Sequence, residues 1–330
     1  MSPRICTRCA KAALVALVGG CSGPQSALDP GGAAAEQIAT LGWTMFAVAT
    51  AILVAVLALA AHAALAPADR PAWALREGWV LGAGLAFPIV LLSALLVWSL
   101  SITGQGADAP PAPFRIQVVG ERWWWRVTYL GPDGRPLFST ANELRLPVGR
   151  SVDVELTTAD VIHSFWVPGL AGKLDMLPGR VNTLSLAAGR AGTYRGQCAE
   201  YCGGAHALMA FMVVAETDDS FDRWMAAQAA PVAEPTSDET RRGRDLFLAS
   251  GCPACHAARG TPAVGAIGPD LTHVGGRLTI GAGLLPTHRG TLAAWIVDPG
   301  HLKPEVRMPA FPIYRGEDLR ALAAWLESLE

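Results

Sequence analysis

The 330-residue chain has little charge: Asp, Glu, Lys and Arg make up only 16% of it, whereas hydrophobic residues make up 51%. This composition excludes a disordered or strongly solvated protein and indicates contact with a membrane. The net charge is only −2, so no overall field indicates a nucleic-acid partner. Cysteine is also scarce: the chain has only seven, which are too few for a disulfide scaffold. The sequence shows no Ser/His/Asp arrangement, phosphate loop or paired-carboxylate site, so no catalytic residue is predicted in this chain.

Two long stretches, 37–68 and 78–107, contain no charged residue at all. Roughly 20 apolar residues cross the ~30 Å core of a bilayer, so transmembrane helices are predicted at about 41–65 and 80–100. Pro88 is predicted to kink the second helix. The alternative is a buried helical hairpin of a soluble protein. Indole side chains favour the lipid–water boundary, and four of them lie near the ends of the predicted spans: Trp43, Trp73, Trp79 and Trp98.

The N-terminus carries a basic start, a short apolar run and small residues, which is the pattern of a signal peptide over residues 1–20. The end of this segment resembles a bacterial lipobox, in which Cys21 would be acylated and become the mature N-terminus. Cys6 and Cys9 would be lost with the signal peptide. Segment 21–110 then holds the two-helix transmembrane hairpin, with its short loop in the cytoplasm and everything after about residue 105 exported.

Periodicity changes after a Pro-rich hinge, and residues 111–228 contain short β-branched and aromatic runs separated by turn signals such as Gly131-Pro132-Asp133-Gly134. Many short strands of this kind predict an all-β sandwich or barrel. Pro- and Ala-rich residues 229–237 are predicted to form a linker, and residues 238–330 a small all-α domain.

Two thiols, two imidazoles and one thioether occur within the β domain: His163, Cys198, Cys202, His206 and Met209. Soft sulfur together with imidazole suits copper, and an axial Met is typical of electron-transfer copper sites. Two cysteines four positions apart could bridge two copper ions that each keep one His. The alternatives are a Cys198–Cys202 disulfide, a tetrahedral zinc site, which leaves Met209 unexplained, and a thioredoxin-like copper-delivery site, which the β-rich flanks do not favour.

The C-terminal domain contains Cys252-Pro253-Ala254-Cys255-His256, the attachment motif of c-type haem. Cys252 and Cys255 would form thioethers with the haem, and His256 would bind the iron. Met308 is the only methionine of this domain and is the predicted distal ligand, because a thioether raises the haem potential for electron transfer. A bis-His haem remains the alternative, with three candidates: His273, His288 and His301.

The run from Asp160 to Met209 resembles the dinuclear copper (CuA) domain of cytochrome c oxidase subunit II, and the resemblance extends back through both predicted helices. It implies a cupredoxin Greek-key barrel. It also implies that Glu200 contributes its backbone carbonyl to copper and its side chain to a Mg ion shared with subunit I. The side-chain copper ligands implied by the resemblance are His163, Cys198, Cys202, His206 and Met209.

Gly120-Glu121-Arg122-Trp123-Trp124-Trp125 resembles the aromatic patch of the same family, whose first Trp receives electrons from cytochrome c. Trp123 is therefore the candidate electron acceptor. Glu121 and Arg122 depart from the usual His-Gln of the family. Packing on two faces of a sheet is the alternative role for Trp124 and Trp125.

The order of a lipobox, two helices, a CuA domain and a cytochrome c domain resembles subunit II of the cytochrome-c-fused (caa-type) oxidases. This resemblance implies a relay from a donor cytochrome c or upstream respiratory complex, through haem c and CuA, to haem a of subunit I. There oxygen would be reduced to water with proton translocation, alongside subunit III. The implied location is the bacterial inner membrane, with both redox domains in the periplasm. The alternatives are the donor subunit of a CuA-containing nitric oxide reductase and a non-catalytic copper-binding or copper-delivery protein.

Overall fold

The structure, a computed structural model, describes residues 22–65, 77–105, 112, 114–314 and 316–330. The chain folds as two compact units: Glu36–Pro110 form one, and the segments before and after them form the other. The predicted signal peptide, Cys21, Trp73 and the loop 66–76 lie outside the described residues.

Two apolar helical segments dominate the first unit. Helix α1 spans Ala33–Leu65, and the second segment runs through α2 (Glu77–Leu81), a π-helical turn (Gly82–Ala86) and α3 (Phe87–Gln105). Both segments are long and apolar enough to cross a membrane, with a mean hydropathy of 2.5. Pro88 has no N–H to donate to the preceding turn, and the π-helical turn interrupts the regular helix up to Ala86, two residues before it.

The second unit begins with a β domain made of ten strands. They are β1 (Arg115–Glu121), β2 (Trp124–Leu130), β3 (Pro136–Ala141), β4 (Glu143–Pro147), β5 (Ser151–Thr158), β6 (His163–Trp166), β7 (Leu174–Met176), β8 (Asn182–Ala187), β9 (Gly192–Cys198) and β10 (Ala210–Glu216). Side chains alternate between buried and half-buried along β1, as expected for a strand with one face on the core.

The strands form two five-stranded sheets, in the orders β3-β2-β1-β5-β8 and β4-β10-β9-β6-β7. Aromatic side chains fill the core: Phe165 and Phe211 stack with their centroids 4.6 Å apart, and the fully buried Trp125 meets both edge-on. The predicted cupredoxin-like β domain is confirmed, in the form of a two-sheet sandwich. Helix α4 (Asp218–Ala229) follows the last strand.

Residues 230–237 contain no helix or strand and are exposed or half-buried. The C-terminal domain that follows contains α5 (Asp238–Ala249), α6 (Arg289–Val297), α7 (Pro299–Leu302) and α8 (Gly316–Glu327). Ser237 and Thr240 form a capping box at the start of α5. The predicted helical cytochrome c region is confirmed; it also contains a hairpin of two-residue strands, β11 (Thr279–Ile280) and β12 (Leu285–Pro286).

Candidate metal centre and haem cavity

Strand register brings the predicted copper ligands together at one edge of the second sheet. His163 is the first residue of β6, Cys198 is the last of β9, and Met209 directly precedes β10. Because β9 runs antiparallel to both β6 and β10, the end of β9 lies beside the beginnings of its two neighbours. Residues 199–209, the copper loop, connect β9 to β10 and carry the remaining side-chain candidates, Cys202 and His206.

All five side chains converge into one cluster, in which His206 is half-buried and the other four are buried. Cys198 Sγ lies 3.8 Å from Cys202 Sγ and 3.7 Å from His163 Nδ1. Cys202 Sγ lies 3.5 Å from His206 Nδ1 and 3.7 Å from Met209 Sδ. The backbone carbonyl of Glu200 faces Cys198 Sγ at 3.2 Å. Four further donor groups therefore surround the two cysteine sulfur atoms, which makes six donors in all.

The donor set favours copper over the alternatives left open by the sequence. A disulfide has its sulfur atoms about 2.0 Å apart, whereas Cys198 and Cys202 are separated by 3.8 Å. A structural zinc ion takes four ligands, and the cluster offers two more than that. Two soft metal ions bridged by the two thiolates would use all six donors, so these residues fit a dinuclear copper centre.

Hydrogen bonds prepare the cluster for metal. His163 Nε2 lies 2.9 Å from Asp160 Oδ1, which leaves Nδ1 directed at the sulfur atoms. Although burial alone would raise the pKa of Asp160, hydrogen bonds from His163 and the Arg122 N–H lower it, so this carboxylate stays ionised. The hydrogen bond from Cys202 lowers the pKa of Cys198, which provides one thiolate as a ligand.

Asp160→Asn is expected to weaken copper binding by about 10- to 100-fold, because the ring of His163 loses the carboxylate that orients it. Copper retention would be measured by titration with a chelator, in parallel with Asp133→Asn. Asp133 lies in an exposed turn of the same domain, where its side chain is 61% exposed, so that variant should bind copper normally. Equal copper affinity in both variants would show that Asp160 does not orient the ligand.

Trp123 contacts this cluster and also lines a neighbouring cavity. Its indole Nε1 donates a hydrogen bond of 3.2 Å to the carbonyl of Cys202, and the residue is only 6% exposed. Trp125 is fully buried in the core, which agrees with a packing role. The guanidinium of Arg126 lies over Trp124, with its Cζ atom 4.7 Å from the centroid of the indole ring.

A cavity between the β domain and the C-terminal domain gathers all four predicted haem residues. Its lining includes Cys252, Cys255, His256 and Met308, together with Trp123 and Trp124 of the β domain. His256 Nδ1 donates to the carbonyl of Pro269 at 2.7 Å, which leaves Nε2 for iron. Burial lowers the pKa of His256, so the ring is held in the neutral form that binds metal.

The cavity also contains buried polar atoms without a partner. Arg277 Nε and the hydroxyl of Thr279 make no hydrogen bond within the structure, and both residues line the cavity. Burial lowers the pKa of Arg277, to about 10, so the guanidinium remains charged at neutral pH. Such donors match the anionic propionate groups of a haem, and the cavity residues therefore fit this cofactor. Sequence reasoning missed both residues, because no spacing pattern distinguishes them.

The candidate ligands of a bis-His haem have other roles. His273 has its two ring nitrogens 2.6 Å from the carbonyl of Glu330 and 3.0 Å from that of Ala230. His288 caps helix α6 by accepting two backbone N–H groups, and His301 is exposed. None of the three lines the cavity in the part of the chain that the structure describes. The arrangement therefore favours Met308.

Gly268→Ala is expected to disturb haem attachment, because a Cβ at this position would lie 2.6 Å from His256 Cε1 and force the ring aside. Overpacking of this kind costs about 1–3 kcal/mol. The fraction of chains with covalent haem and the position of the visible haem bands would report the change. Gly300→Ala is the control, since its Cβ would make only an ordinary contact of 3.5 Å. Normal haem content and bands in Gly268→Ala would contradict the expectation.

Comparison with known proteins agrees with the assignment of both domains. Residues 130–216 match the family described as cytochrome c oxidase subunit II, periplasmic domain, and residues 240–330 match cytochrome c. Cytochrome c oxidase subunit 2 of Alkalihalophilus pseudofirmus is 41% identical over 249 residues, which cover 74% of this chain and 71% of that protein. The chain belongs to the cytochrome c oxidase subunit II family.

Other members of the subunit II family align over a similar length. Cytochrome c oxidase subunit 2 of Bacillus subtilis is 30% identical over 74% of this chain and 70% of that protein. The crystal structure of the periplasmic domain of subunit II of Bradyrhizobium japonicum cytochrome oxidase shares 33% identity. It covers 36% of this chain and 95% of its own, with a TM-score of 0.32.

Family membership establishes the general role. The chain is a subunit II with a cytochrome c domain, part of a haem-copper oxidase, and it works with subunit I in this oxidoreductase complex. The subunit II family implies CuA, and the cytochrome c domain implies haem c. The two apolar helices fit a membrane-anchored subunit II.

Proposed function

We propose that this subunit passes electrons from a donor cytochrome c or upstream respiratory complex to haem a of subunit I, by way of a covalent haem c and CuA. Each of these two groups supplies a one-electron redox centre when bound. The observation that carries the proposal is the position of Trp123, which lines the haem cavity and donates its indole hydrogen to the carbonyl of Cys202. A single side chain thus spans the two sites.

The residues proposed to hold each group follow from the geometry above. Cys252 and Cys255 would attach the haem, and His256 and Met308 would bind its iron. The copper ions would be held by the side chains of His163, Cys198, Cys202, His206 and Met209 and by the backbone carbonyl of Glu200. Four of the copper-site side chains are buried, namely His163, Cys198, Cys202 and Met209, and exclusion of water there would lower the reorganisation needed when charge moves.

The side chain of Glu200 is proposed to help bind Mg at the interface with subunit I. Its carboxylate is 45% exposed and lies 3.9 Å from Lys173 Nζ, so it is accessible to a neighbouring subunit. Oxygen ligands of this kind suit Mg. We also propose acylation of Cys21 after removal of residues 1–20, and an inner-membrane location with both redox domains in the periplasm. The support for this is the basic start and the apolar run of the N-terminal sequence.

The relay is tested on the oxidase complex purified through this subunit. We expect two copper ions and one covalent haem per chain, a mixed-valence near-infrared band, and oxygen uptake by a copurified subunit I. A flash that reduces the haem should be followed by reduction of CuA. One exchangeable copper without the near-infrared band would favour a copper-delivery protein instead, and uptake of nitric oxide rather than oxygen would identify a nitric oxide reductase.

A further inference from the structure

Lys303 is a buried cation with an unusual set of partners. It directly follows helix α7, and it is only 2% exposed. Its Nζ donates to the carbonyls of Trp123 at 2.6 Å, Leu208 at 2.9 Å and Gly281 at 3.0 Å. Trp123 and Leu208 belong to the β domain, whereas Gly281 belongs to the C-terminal domain. The Lys303 side chain therefore joins the two domains at Trp123 and at the copper loop.

The three carbonyls indicate that Lys303 is protonated. Only an ammonium has three hydrogens to donate, whereas a neutral amine would direct its lone pair at an oxygen. Burial lowers the pKa of Lys303 to about 7, and the nearby Cys202 opposes that effect. No carboxylate forms an ion pair with Lys303 among the described residues. A buried charge is costly, and here it is offset by three hydrogen bonds that an apolar side chain of similar length would not make.

The residues after Lys303 continue the contact with the copper site. The carboxylate of Glu305 lies against Gly204 of the copper loop, in the space that a Cβ at this position would occupy. Arg307 Nη2 lies 3.9 Å from Asp160 Oδ2, and Asp160 accepts the hydrogen bond of the candidate copper ligand His163. Met308 then lines the haem cavity. Residues 303–308 thus extend from the copper loop to the haem.

We propose that Lys303 is a positioning residue for the haem-to-copper step: it fixes the C-terminal domain on the copper loop so that Trp123 stays between the two centres. The inference rests on the relay proposed above. Other hydrogen bonds between the domains surround this point, among them Ala210 N–H to Ala282 O at 3.0 Å and Arg126 Nη2 to Ala266 O at 2.8 Å. These contacts should allow a Lys303 variant to fold.

The test compares three variants in the purified oxidase complex. Lys303→Met keeps the apolar stem and removes the charge, Lys303→Arg keeps a charged donor, and Arg320→Met removes an exposed cation from helix α8 as the control. In Lys303→Met we expect amides of residues 203–209 and 279–283 to exchange hydrogen about tenfold faster, which corresponds to ~1.4 kcal/mol of lost local stability. Haem-to-copper transfer after a flash should slow by about tenfold or more.

The copper and haem spectra must stay unchanged in Lys303→Met if the residue acts only on position. Lys303→Arg should recover part of both losses, and Arg320→Met should behave as the unmodified protein. The proposal would be overturned if Lys303→Met showed the amide hydrogen exchange and the haem-to-copper transfer rate of the unmodified protein. Loss of the near-infrared band would also overturn it, because Lys303 would then be needed to form the copper site itself. If exchange rises in Lys303→Met but the unmodified protein shows no haem-to-copper transfer, Lys303 positions the domains and the relay itself is wrong.

Discussion

Cys202→Ser should abolish the near-infrared band of the proposed dinuclear centre. It should also lower electron transfer from haem to subunit I by at least about 100-fold, because the loss of a residue that only orients a metal ligand already costs about 10- to 100-fold in metal affinity or activity. Cys202 Sγ is the central atom of the cluster, with Cys198 Sγ, His206 Nδ1 and Met209 Sδ all within 3.8 Å. A serine oxygen is a harder donor than sulfur, so it would not replace the thiolate that is proposed to hold two soft metal ions.

The haem of the same sample serves as the internal control for this variant. Cys252 and Cys255 are half-buried in the C-terminal domain and line the separate haem cavity, so the haem bands and the yield of covalent haem should not change. Metal analysis should show fewer than two copper ions per chain. Two retained copper ions with an unchanged near-infrared band would rule out Cys202 as a bridging ligand.

Met308→Leu should lower the potential of the haem and slow the relay, because a thioether ligand raises the potential and leucine offers no donor. A fall of more than ~59 mV, equal to a tenfold change in the equilibrium constant, is expected for this one-electron couple. Redox titration followed in the visible haem bands would measure it. The covalent attachment through Cys252 and Cys255 should persist, because neither thiol is altered.

Met225→Leu is the matched control for this variant. Met225 lies on helix α4 and packs, half-buried, against the core of the β domain, so the same change of side chain occurs away from the haem cavity. It should leave the potential unchanged. An unchanged potential in Met308→Leu would instead point to another distal ligand, such as one of the histidines.

The candidate copper and haem ligands are accessible to sequence reasoning because most of them are close together along the chain. Four of the five copper side chains lie within residues 198–209, and three of the four haem residues lie within 252–256. His163 is 35 positions before Cys198, and it joins the cluster because β6 pairs with β9. The apolar helices were predicted from the missing charges, although α1 begins at Ala33, eight residues before the predicted span.

The residues that depend on contact between domains could not be predicted. Lys303 stands in a Pro- and Gly-containing stretch that reads as an exposed loop, and only the packing of the copper loop buries it. Trp123 was predicted as an electron acceptor from its motif, but the sequence could not show that it lines the haem cavity. Arg277 likewise has no local pattern, since its role follows from the cavity around it.

The short linker of residues 230–237 changes the kinetics expected for the two redox domains. Separate proteins must meet by diffusion, and their encounter rate depends on concentration and on ionic strength. A tether of this length keeps the partners at an effective concentration on the order of millimolar, whatever the amount of protein present. Under the proposed relay, electron transfer between the two domains would then be a first-order process. Dilution and salt would act only on the arrival of electrons from outside the chain.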